Sequence, residues 1–369
     1  MFEEGIRMRR ERGAENVFDF TLGNPDVEPP EAVIAALRRV VAENRPRSHA
    51  YMPNAGFPEV REVIAGRLAE RTGVPFTASD VLMTVGAAGA INTLLKAILD
   101  PGDEVIVLNP YFPEYRFYIE NHAGVVVPVE TGEDFQPDVG RIAAAITPRT
   151  RAIILNSPNN PSGAVYGERV LREINEIVRD PVIAICDEPY GPLVFDGVKR
   201  PETLRIVKRA ALAWSWSKAM AVAGERIGYL ALSPRLAEVP ALRNACTFTN
   251  RILGYINAPA IWQWVVKEVP DATVDVSLYE AKRNLLCDAL QGMGYDAPRP
   301  QGSFYCFPKT PVADDFAFNR MLADEGILAV PGSGFGRGGY FRLSLTIRRS
   351  EIERSLGGFE RALERARRG

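Results

Sequence analysis

Apolar and polar positions follow two distinct patterns along the chain. Short runs of consecutive apolar residues predict buried strands at residues 81–85, 105–108, 153–155, 182–186, 210–214 and 227–232. Between these runs, apolar residues return every three or four positions, which predicts helices at residues 31–43, 58–72, 90–99 and 168–178. Strands and helices alternate from about residue 49 to about residue 250, and this order is typical of an α/β protein with a mostly parallel sheet flanked by helices.

The last third of the chain has a different order of elements. A long helical pattern at residues 258–290 is interrupted near Pro270, and strand patterns follow at residues 302–307 and 340–346. A length of 369 residues is more than one domain usually holds. We therefore expect a smaller α+β domain beside the larger α/β domain.

Composition and charge exclude several classes of protein. The 44 lysines and arginines nearly balance the 46 aspartates and glutamates, so the net charge of −2 gives no reason to expect binding to nucleic acid or to a membrane surface. The 2 histidines are too few for a histidine-based metal site or a catalytic triad, and we expect no metal. No apolar run has the ~20 residues that span a bilayer, and residues 1–13 lack the apolar core of a signal peptide. We therefore expect a cytoplasmic enzyme.

Lys218 is the first candidate for chemistry. It lies in Ser215-Trp216-Ser217-Lys218, between two apolar runs, and Arg226 follows eight residues later. A lysine between buried strands loses hydration, which lowers its pKa and favours the neutral amine that Schiff-base chemistry requires. The serine hydroxyls and the guanidinium group suit a phosphate. This motif alone leaves a surface lysine beside a salt-bridging arginine as the alternative.

Three further motifs begin where predicted strands end. Asp187-Glu188-Pro189-Tyr190 follows the run at 182–186, and Asn156-Ser-Pro-Asn-Asn160-Pro-Ser-Gly163 follows the run at 153–155. The small residues Gly86-Ala87-Ala88-Gly89 follow the run at 81–85 and open a helix. Open α/β sheets bind ligands at the carboxyl ends of their strands, and small residues at a helix N-terminus leave N–H groups open to an anion.

In this order the four motifs resemble the class I/II aminotransferases, which belong to the fold-type I enzymes that depend on pyridoxal 5'-phosphate. The similarity extends from about Phe18 to the last helix. It implies a large cofactor-binding domain at residues 45–256 and a small domain formed by residues 1–44 together with residues 257–369. It also implies an L-amino acid and a 2-oxo acid as substrates, and a homodimer with shared active sites.

The resemblance also assigns the cofactor contacts. Lys218 would bind the cofactor covalently and move the substrate proton, and Asp187 would pair with the ring nitrogen. The remaining contacts would be Tyr190 and Asn160 at the phenolic oxygen, Phe112 against the ring (with Tyr111 as the second candidate), and Ala87, Ala88, Ser215, Ser217 and Arg226 around the phosphate. Ala87 and Ala88 depart from many relatives, since they offer only backbone N–H groups. Ordinary core packing is the alternative role for Phe112.

The same resemblance gives the substrate contacts. Arg342, which alternates with apolar residues in Phe341-Arg342-Leu343, would bind the α-carboxylate, with Gly23 and Asn160 also facing the substrate. Tyr51 would reach the phosphate of the neighbouring subunit, although a tyrosine that stays in its own subunit is the alternative. Arg251 would read a second carboxylate, which favours aspartate and 2-oxoglutarate as substrates. An interface or phosphate contact is the alternative for Arg251, and aromatic or neutral amino acids remain possible substrates.

Two other functions are compatible with these motifs. A β-elimination lyase or a decarboxylase could use the same cofactor contacts, because the cofactor ring stabilises any carbanion at Cα. A cofactor-binding regulator without turnover is the other alternative. Regulators of this kind usually carry an N-terminal DNA-binding domain, and the residues before Phe18 leave no room for one.

Overall fold

The computed structural model describes residues 2–368 of the chain, with side chains from Gly5 onward. The strands of this part are β1 Phe18–Asp19, β2 Val81–Thr84, β3 Glu104–Asn109, β4 Val125–Glu130, β5 Thr150–Asn156, β6 Ile183–Asp187, β7 Ala210–Ser215, β8 Gly228–Leu232, β9 Tyr305–Cys306, β10 Ile327–Leu328, β11 Val330–Pro331 and β12 Phe341–Ser344. The helices are α1 Phe2–Arg12, α2 Glu31–Glu43, α3 Pro58–Thr72, α4 Gly86–Ile98, α5 Glu114–Glu120, α6 Val139–Ala145, α7 Glu168–Ile177, α8 Thr203–Ile206, α9 Trp216–Ala219, α10 Val239–Ile252, α11 Ala260–Glu268, α12 Val276–Met293, α13 Asp315–Asp324 and α14 Arg349–Arg368.

The central sheet of the described chain has seven strands in the order β2-β8-β7-β6-β5-β3-β4. Strand β8 runs antiparallel to both of its neighbours, and the other pairs are parallel. Strands β5, β6 and β7 therefore end at the same edge, where Asn156 pairs in register with Asp187. This mostly parallel sheet confirms the predicted α/β class.

Both faces of the sheet are covered, which explains why its strands appear in the sequence as continuous apolar runs. On β3, Ile106 and Leu108 belong to one core cluster, and Val105 and Val107 belong to another. The first cluster includes residues of α2, α3, α7 and α11, and the second includes residues of α4, α5 and α10. The helices therefore lie on opposite faces, as in a doubly wound sheet.

A second layered unit forms at the C-terminal end of the chain. Strands β11, β12 and β9 form an antiparallel sheet, and β1 pairs in parallel with β10. Their core contains side chains from α12, α13 and α14, among them Leu286, Phe318 and Phe359. The N-terminal strand thus joins the C-terminal part of the chain, far from it in sequence.

The division at residues 45 and 257 stays a prediction, but the packing disagrees with it at two helices. Helices α2 and α11 fall in the predicted small domain, yet Val33 and Val40 of α2 and Trp262 and Val265 of α11 belong to the core of the seven-stranded sheet. Met1 and Gly369, the outer limits of the predicted small domain, lie outside the described residues.

Several predicted limits also differ from the structure. Helix α4 begins at Gly86, four residues before the predicted start, so Ala87 and Ala88 lie in its first turn. The pattern at 302–307 yields only the two-residue strand β9, because Ser303 has a positive φ of 60° that ends the extended chain. Across residues 2–368, no helix combines the length and the apolar character needed to cross a bilayer.

Candidate active site

A pocket of about 230 Å³ opens at the carboxyl ends of β5, β6 and β7. Most of its lining comes from the four motifs of the sequence analysis, and the rest comes mainly from α5 and the loop before it. The lining residues are Ala87, Ala88, Ile91, Phe112, Tyr115, Tyr118, Asn156, Asn160, Asp187, Pro189, Tyr190, Ser215, Ser217, Lys218, Ala223 and Arg226. The structure therefore brings together nearly all the residues that the resemblance assigns to the cofactor.

Lys218 lies in the one-turn helix α9, directly after β7. Ser215 ends the strand and caps this helix, since its Oγ accepts a hydrogen bond from the N–H of Ser217 at 3.1 Å. The Lys218 Nζ donates to the carbonyl oxygen of Gly23 at 2.5 Å. Burial is the main cause that lowers the pKa of Lys218 to about 8, and the positive charges of Arg226 and Arg342 contribute to the same shift. A substantial fraction of the amine is therefore neutral near pH 8.

Asp187, the last residue of β6, is buried, and its two carboxylate oxygens have different surroundings. The hydroxyl of Tyr115 donates a short hydrogen bond to Oδ2, whereas Oδ1 has no partner among the described residues. The pKa of Asp187 is raised to about 7, because burial and, to a smaller extent, the charge of Glu188 raise it by more than the hydrogen bond from Tyr115 lowers it. An unpartnered buried carboxylate oxygen needs a cationic or N–H partner.

Asn156 links the backbone of Asp187 to the loop at residues 156–163. Its side-chain amide donates to the backbone oxygen of Asp187 at 2.9 Å, and its Oδ1 accepts from the backbone N–H of Asn160 at 2.8 Å. Tyr190, three residues after Asp187, lies buried in the same pocket and directs its hydroxyl toward the hydroxyl of Tyr305 at 3.5 Å. Asn156 thus fixes the positions of two predicted site residues together.

The end of the pocket at the N-terminus of α4 is suited to an anion. The first turn of α4 presents the backbone at Ala87 and Ala88, and the positive end of the helix dipole points there. The hydroxyls of Ser215 and Ser217 lie 2.7 Å apart beside it. Arg226 is held over this end by hydrogen bonds to the carbonyl oxygens of Val85 at 3.1 Å and Ala223 at 3.0 Å.

Phe112 lines the pocket, whereas Tyr111 does not. The Phe112 ring meets the Tyr115 ring edge to face, with the centroids 5.5 Å apart. The backbone N–H of Tyr111 donates to the carbonyl oxygen of Phe335 at 3.0 Å, which ties this loop to the 3₁₀ turn Gly332–Phe335. Of the two aromatic candidates, the structure places Phe112 at the pocket.

Arg342, on β12, reaches the site from the second unit of the chain. Its two Nη atoms donate to Asn160 Oδ1 at 3.1 Å and to the carbonyl oxygen of Thr21 at 2.6 Å. Its guanidinium group lies over the rings of Tyr305 and Phe335, 4.4 and 4.8 Å from their centroids. The buried Nε has no partner among the described residues, so this arginine can still bind a carboxylate.

Gly23 lies between Lys218 and Tyr305. Its carbonyl oxygen holds the lysine, and a Cβ atom added at this position would lie 1.8 Å from the Tyr305 hydroxyl. No side chain fits in this space, so the close approach requires glycine.

Tyr51 and Arg251 are the two predicted site residues that a single chain does not bring to the pocket. Tyr51 is 82% exposed. Arg251 is also exposed and donates to Asn54 Oδ1 at 3.2 Å, three residues beyond Tyr51. The two residues therefore occupy the same part of the surface.

The residues present fit the cofactor that the resemblance implies. The unpartnered Oδ1 of Asp187 suits a protonated ring nitrogen, and the N-terminus of α4 with two serines and Arg226 suits a phosphate. Lys218, with its lowered pKa, suits an aldehyde carbon. In the described part of the chain, no group of three or more His, Cys, Asp or Glu side chains is arranged to hold a metal.

Sequence reasoning missed several residues of the site. Tyr115 is 72 positions from Asp187, and Tyr305 and Thr21 approach Arg342 from distant segments. No local pattern marks these contacts. Asn156 is the first residue of the loop at residues 156–163. Its position at the end of β5 could have identified it as a site residue.

Comparison with known proteins agrees with this geometry. The family model described as aminotransferase class I and II matches residues 15–359. The aspartate/prephenate aminotransferase of Thermus thermophilus is 36% identical over 98% of this chain and 94% of its own length. The probable aspartate aminotransferase of Methanocaldococcus jannaschii is 31% identical over 91% of this chain and 90% of its own.

Solved structures give the same result. The crystal structure of an aminotransferase from Eubacterium rectale has a TM-score of 0.96 and 33% identity, over 99% of this chain and 94% of that one. The aspartate aminotransferase of Thermus thermophilus with maleate has a TM-score of 0.88 and 33% identity, over 98% of this chain and 95% of that one. The chain is thus a member of the class I and II aminotransferases, enzymes that use pyridoxal 5'-phosphate to exchange an amino group between an amino acid and a 2-oxo acid.

Proposed function

We propose that this aminotransferase acts on dicarboxylic substrates, with aspartate and 2-oxoglutarate as the leading pair, and that Lys218, Asp187 and Arg342 are its central residues. The observation that carries the assignment is the placement of three groups around one site. These are an amine with a lowered pKa, which is bonded to the Gly23 carbonyl oxygen, together with a carboxylate oxygen and a guanidinium Nε that have no partner among the described residues.

The cofactor contacts follow from the lining of the pocket. Asp187 Oδ1 would hold the ring nitrogen in its protonated form, and Tyr190 and Asn160 would donate to the phenolic oxygen. The phosphate would be held by Ser215, Ser217, Arg226 and the N–H groups of Ala87 and Ala88, and Phe112 would pack against the ring. When bound, pyridoxal phosphate supplies an electron-withdrawing ring that stabilises negative charge on the substrate's α-carbon.

Lys218 moves the proton. Its Nζ would take the proton from the substrate's α-carbon and hold it for return in the second half of the reaction. A base that must both accept and return a proton works best with a pKa near the operating pH. The value of about 8 meets this requirement, and burial is its main cause.

Arg342 orients the substrate. A planar guanidinium group binds a carboxylate with two parallel hydrogen bonds, so it fixes the rotation of the amino acid as well as its position. The side chain is already held by Asn160 and Thr21 and packed between two aromatic rings. The binding geometry is therefore formed before the substrate arrives.

The preference for a second carboxylate is argued from Arg251 and from the relatives. The Thermus thermophilus relative is named for aspartate and prephenate, and both molecules carry two carboxylates. Arg251 is exposed and its side chain donates to the neutral amide of Asn54, so its charge is available to such a group. A homodimer in which Tyr51 and Arg251 of one protomer reach the site of its partner explains why both residues lie outside the pocket of the single chain. A cytoplasmic location is part of the same proposal.

The assignment of Lys218 is tested by covalent trapping and by the half-reaction. Borohydride reduction of the holoenzyme, followed by peptide mapping, is expected to place the cofactor on Lys218. In a separate sample of unreduced holoenzyme, aspartate added without an oxo acid should convert the cofactor to its aminated form and release oxaloacetate in equal amount. A label on another side chain would refute the role of Lys218. Release of pyruvate and ammonia from a β-substituted amino acid, without need of an oxo acid, would instead identify a β-elimination lyase.

A further inference from the structure

We infer that Tyr115 is the positioning residue for the cofactor ring: its hydroxyl occupies one oxygen of Asp187, so that the other oxygen is directed to the ring nitrogen and the carboxylate stays ionised. The inference rests on the proposed role of Asp187 and adds a residue that the recognised motifs do not contain. Tyr115 lies on α5, and Asp187 ends β6.

The contact between the two side chains leaves little freedom. Tyr115 is 1% exposed and Asp187 6% exposed, and the tyrosine hydroxyl donates a short hydrogen bond to Oδ2. Oδ1 is buried and has no partner among the described residues. One hydrogen-bond donor on one oxygen therefore fixes the rotation of the carboxylate and assigns the other oxygen to the ligand.

The tyrosine ring is itself held on several sides. It packs in the core cluster that covers one face of the sheet, and its backbone N–H donates to the carbonyl oxygen of Phe112 at 3.0 Å. Its ring meets the Phe112 ring at an interplanar angle of 82°. The start of α5 thus positions two contacts to the cofactor at once, the aromatic face through Phe112 and the nitrogen partner through Tyr115.

The electrostatic surroundings explain why Asp187 needs this donor. The titratable groups that interact electrostatically with its carboxylate are the hydroxyls of Tyr115, Tyr118 and Tyr190, the thiol of Cys186 and the carboxylate of Glu188. Burial raises the pKa of Asp187, and the charge of Glu188 raises it further.

Only the hydrogen bond from Tyr115 lowers that pKa among these groups. Glu188 is itself paired with Arg200 at 2.6 Å, so its charge is partly neutralised. Without the donor, the proton shared by Asp187 and the ring nitrogen would move toward the carboxylate, and the ring would lose its positive charge.

The test is Tyr115→Phe, loaded with cofactor labelled with ¹⁵N in the ring. Two results are expected. The dissociation constant of the cofactor rises about ten-fold, equivalent to ~1.4 kcal/mol. As the pH is raised, the ¹⁵N resonance moves from the position of a protonated pyridine toward that of a neutral one. This change is expected at a lower pH in Tyr115→Phe than in the wild type. A purely structural role for Tyr115 would not change the protonation of the ring.

Tyr295→Phe is the matched control, because it also removes a buried tyrosine hydroxyl, one that donates to the Phe359 carbonyl at 2.7 Å outside the site. It should leave the affinity and the ¹⁵N resonance unchanged. If Tyr115→Phe does not fold, 4-fluorophenylalanine at position 115 fills the volume without a donor, and the same two changes are expected. A ring nitrogen that stays protonated in either variant, with or without weaker binding, would overturn the inference. Failure of the wild type to bind the cofactor would instead refute the proposed site.

Discussion

Burial of the Asp187 carboxylate lowers the free energy of unfolding of the protein without cofactor. Its pKa is raised from 3.8 to about 7, so between these two values the folded chain holds a proton that the unfolded chain has released. Stability therefore falls as the pH rises through this window. Asp187→Asn cannot ionise, and the apoprotein carrying it is expected to be more stable than the wild type above pH 7, by up to ~4 kcal/mol. Urea unfolding at a series of pH values measures the difference.

Asp196→Asn is the control with the opposite sign. The pKa of Asp196 is lowered to about 2 by Arg283, so the charged form stabilises the fold above the unfolded value of 3.8 and that contribution is lost as the pH falls through 2. The asparagine variant should lose stability at neutral pH. Parallel pH curves for the wild type and Asp187→Asn would contradict the prediction for Asp187.

Gly23 gives a second prediction for a single residue. A Cβ atom would lie 1.8 Å from the Tyr305 hydroxyl, so Gly23→Ala must displace the segment whose carbonyl oxygen holds Lys218. A misplacement of about 1 Å near reacting groups can cost ~100-fold in rate, and we expect a loss of that order in kcat. Removing the clashing oxygen with Tyr305→Phe should restore part of the activity in the double variant.

Gly66→Ala serves as the control, because nothing lies within 4 Å of a Cβ atom at that position of α3. It should leave activity unchanged and stabilise the helix by up to ~1 kcal/mol. Independent, additive effects of the changes at 23 and 305 would show that the clash is not the cause.

Individual residues were predictable where the motif itself carries the chemistry. Lys218, Asp187 and Arg342 each follow or interrupt an apolar run, which marks them in the sequence as buried charges. Tyr115 and Tyr305 carry no such mark, since a buried tyrosine is also an ordinary core residue. Their roles arise from contacts between segments distant in the chain, and only the fold shows those.

Among the helices that build the site, the one-turn helix α9 is the shortest, and it depends on its cap. Ser215→Ala removes the hydrogen bond to the Ser217 N–H and also a hydroxyl at the phosphate end of the pocket. We expect a stability loss of ~1 kcal/mol from the cap, together with about ten-fold weaker cofactor binding from the lost phosphate contact. Chemical unfolding of the apoprotein and titration with cofactor measure the two effects.

Asp275→Ala separates the two effects, because Asp275 caps α12 by accepting from the Ser277 N–H at 3.0 Å, outside the pocket. It should show a similar stability loss with unchanged cofactor affinity. Equal affinity losses in both variants would mean that stability alone explains the result for Ser215.

Helices that are buried on one face and strands that are buried on both faces were predicted well. Fully buried parallel strands appear as apolar runs, and amphipathic helices such as α2 and α3 show the helical repeat, with α2 found at the predicted residues 31–43. The short strands of the second unit were harder, because a positive φ at Ser303 breaks the extended pattern that residues 302–307 suggest. Local backbone geometry of this kind is not encoded in hydropathy.

At the scale of the whole molecule, the proposed sharing of sites between protomers can be tested by mixing variants. Lys218→Ala removes the nucleophile, and Arg251→Ala removes the proposed second-carboxylate contact. If each site takes Lys218 from one protomer and Arg251 from its partner, a hybrid dimer has one site with both changes and one with neither. Subunit exchange should then raise aspartate turnover above the sum of the two homodimers.

Mixing Lys218→Ala with Asp187→Asn is the matched control, because both residues line the same pocket of one chain. Every site of that hybrid carries one change, so no gain is expected. An equal gain in the two mixtures, or no gain in either, would refute the sharing of Arg251.

The architecture as a whole was predictable only to the level of class. The alternation of strands and helices indicated a parallel sheet, and the structure confirms it. The sequence did not show that α2 and α11 pack against that sheet, because an amphipathic face indicates that a helix is packed but not against which surface.

The stretch from β1 to Asp26 contacts both units and two basic side chains of the candidate site, Arg342 and Lys218. Its Thr21 carbonyl oxygen accepts from Arg342 at 2.6 Å, and its Gly23 carbonyl oxygen accepts from Lys218 at 2.5 Å. A cofactor bound covalently to Lys218 would remove the donor to the Gly23 carbonyl oxygen, whereas Arg342 can keep its bond to Thr21 and bind a carboxylate through its unpartnered Nε. Cofactor binding is thereby linked to the local order of residues 20–26. We expect this segment to become more mobile when the cofactor is bound.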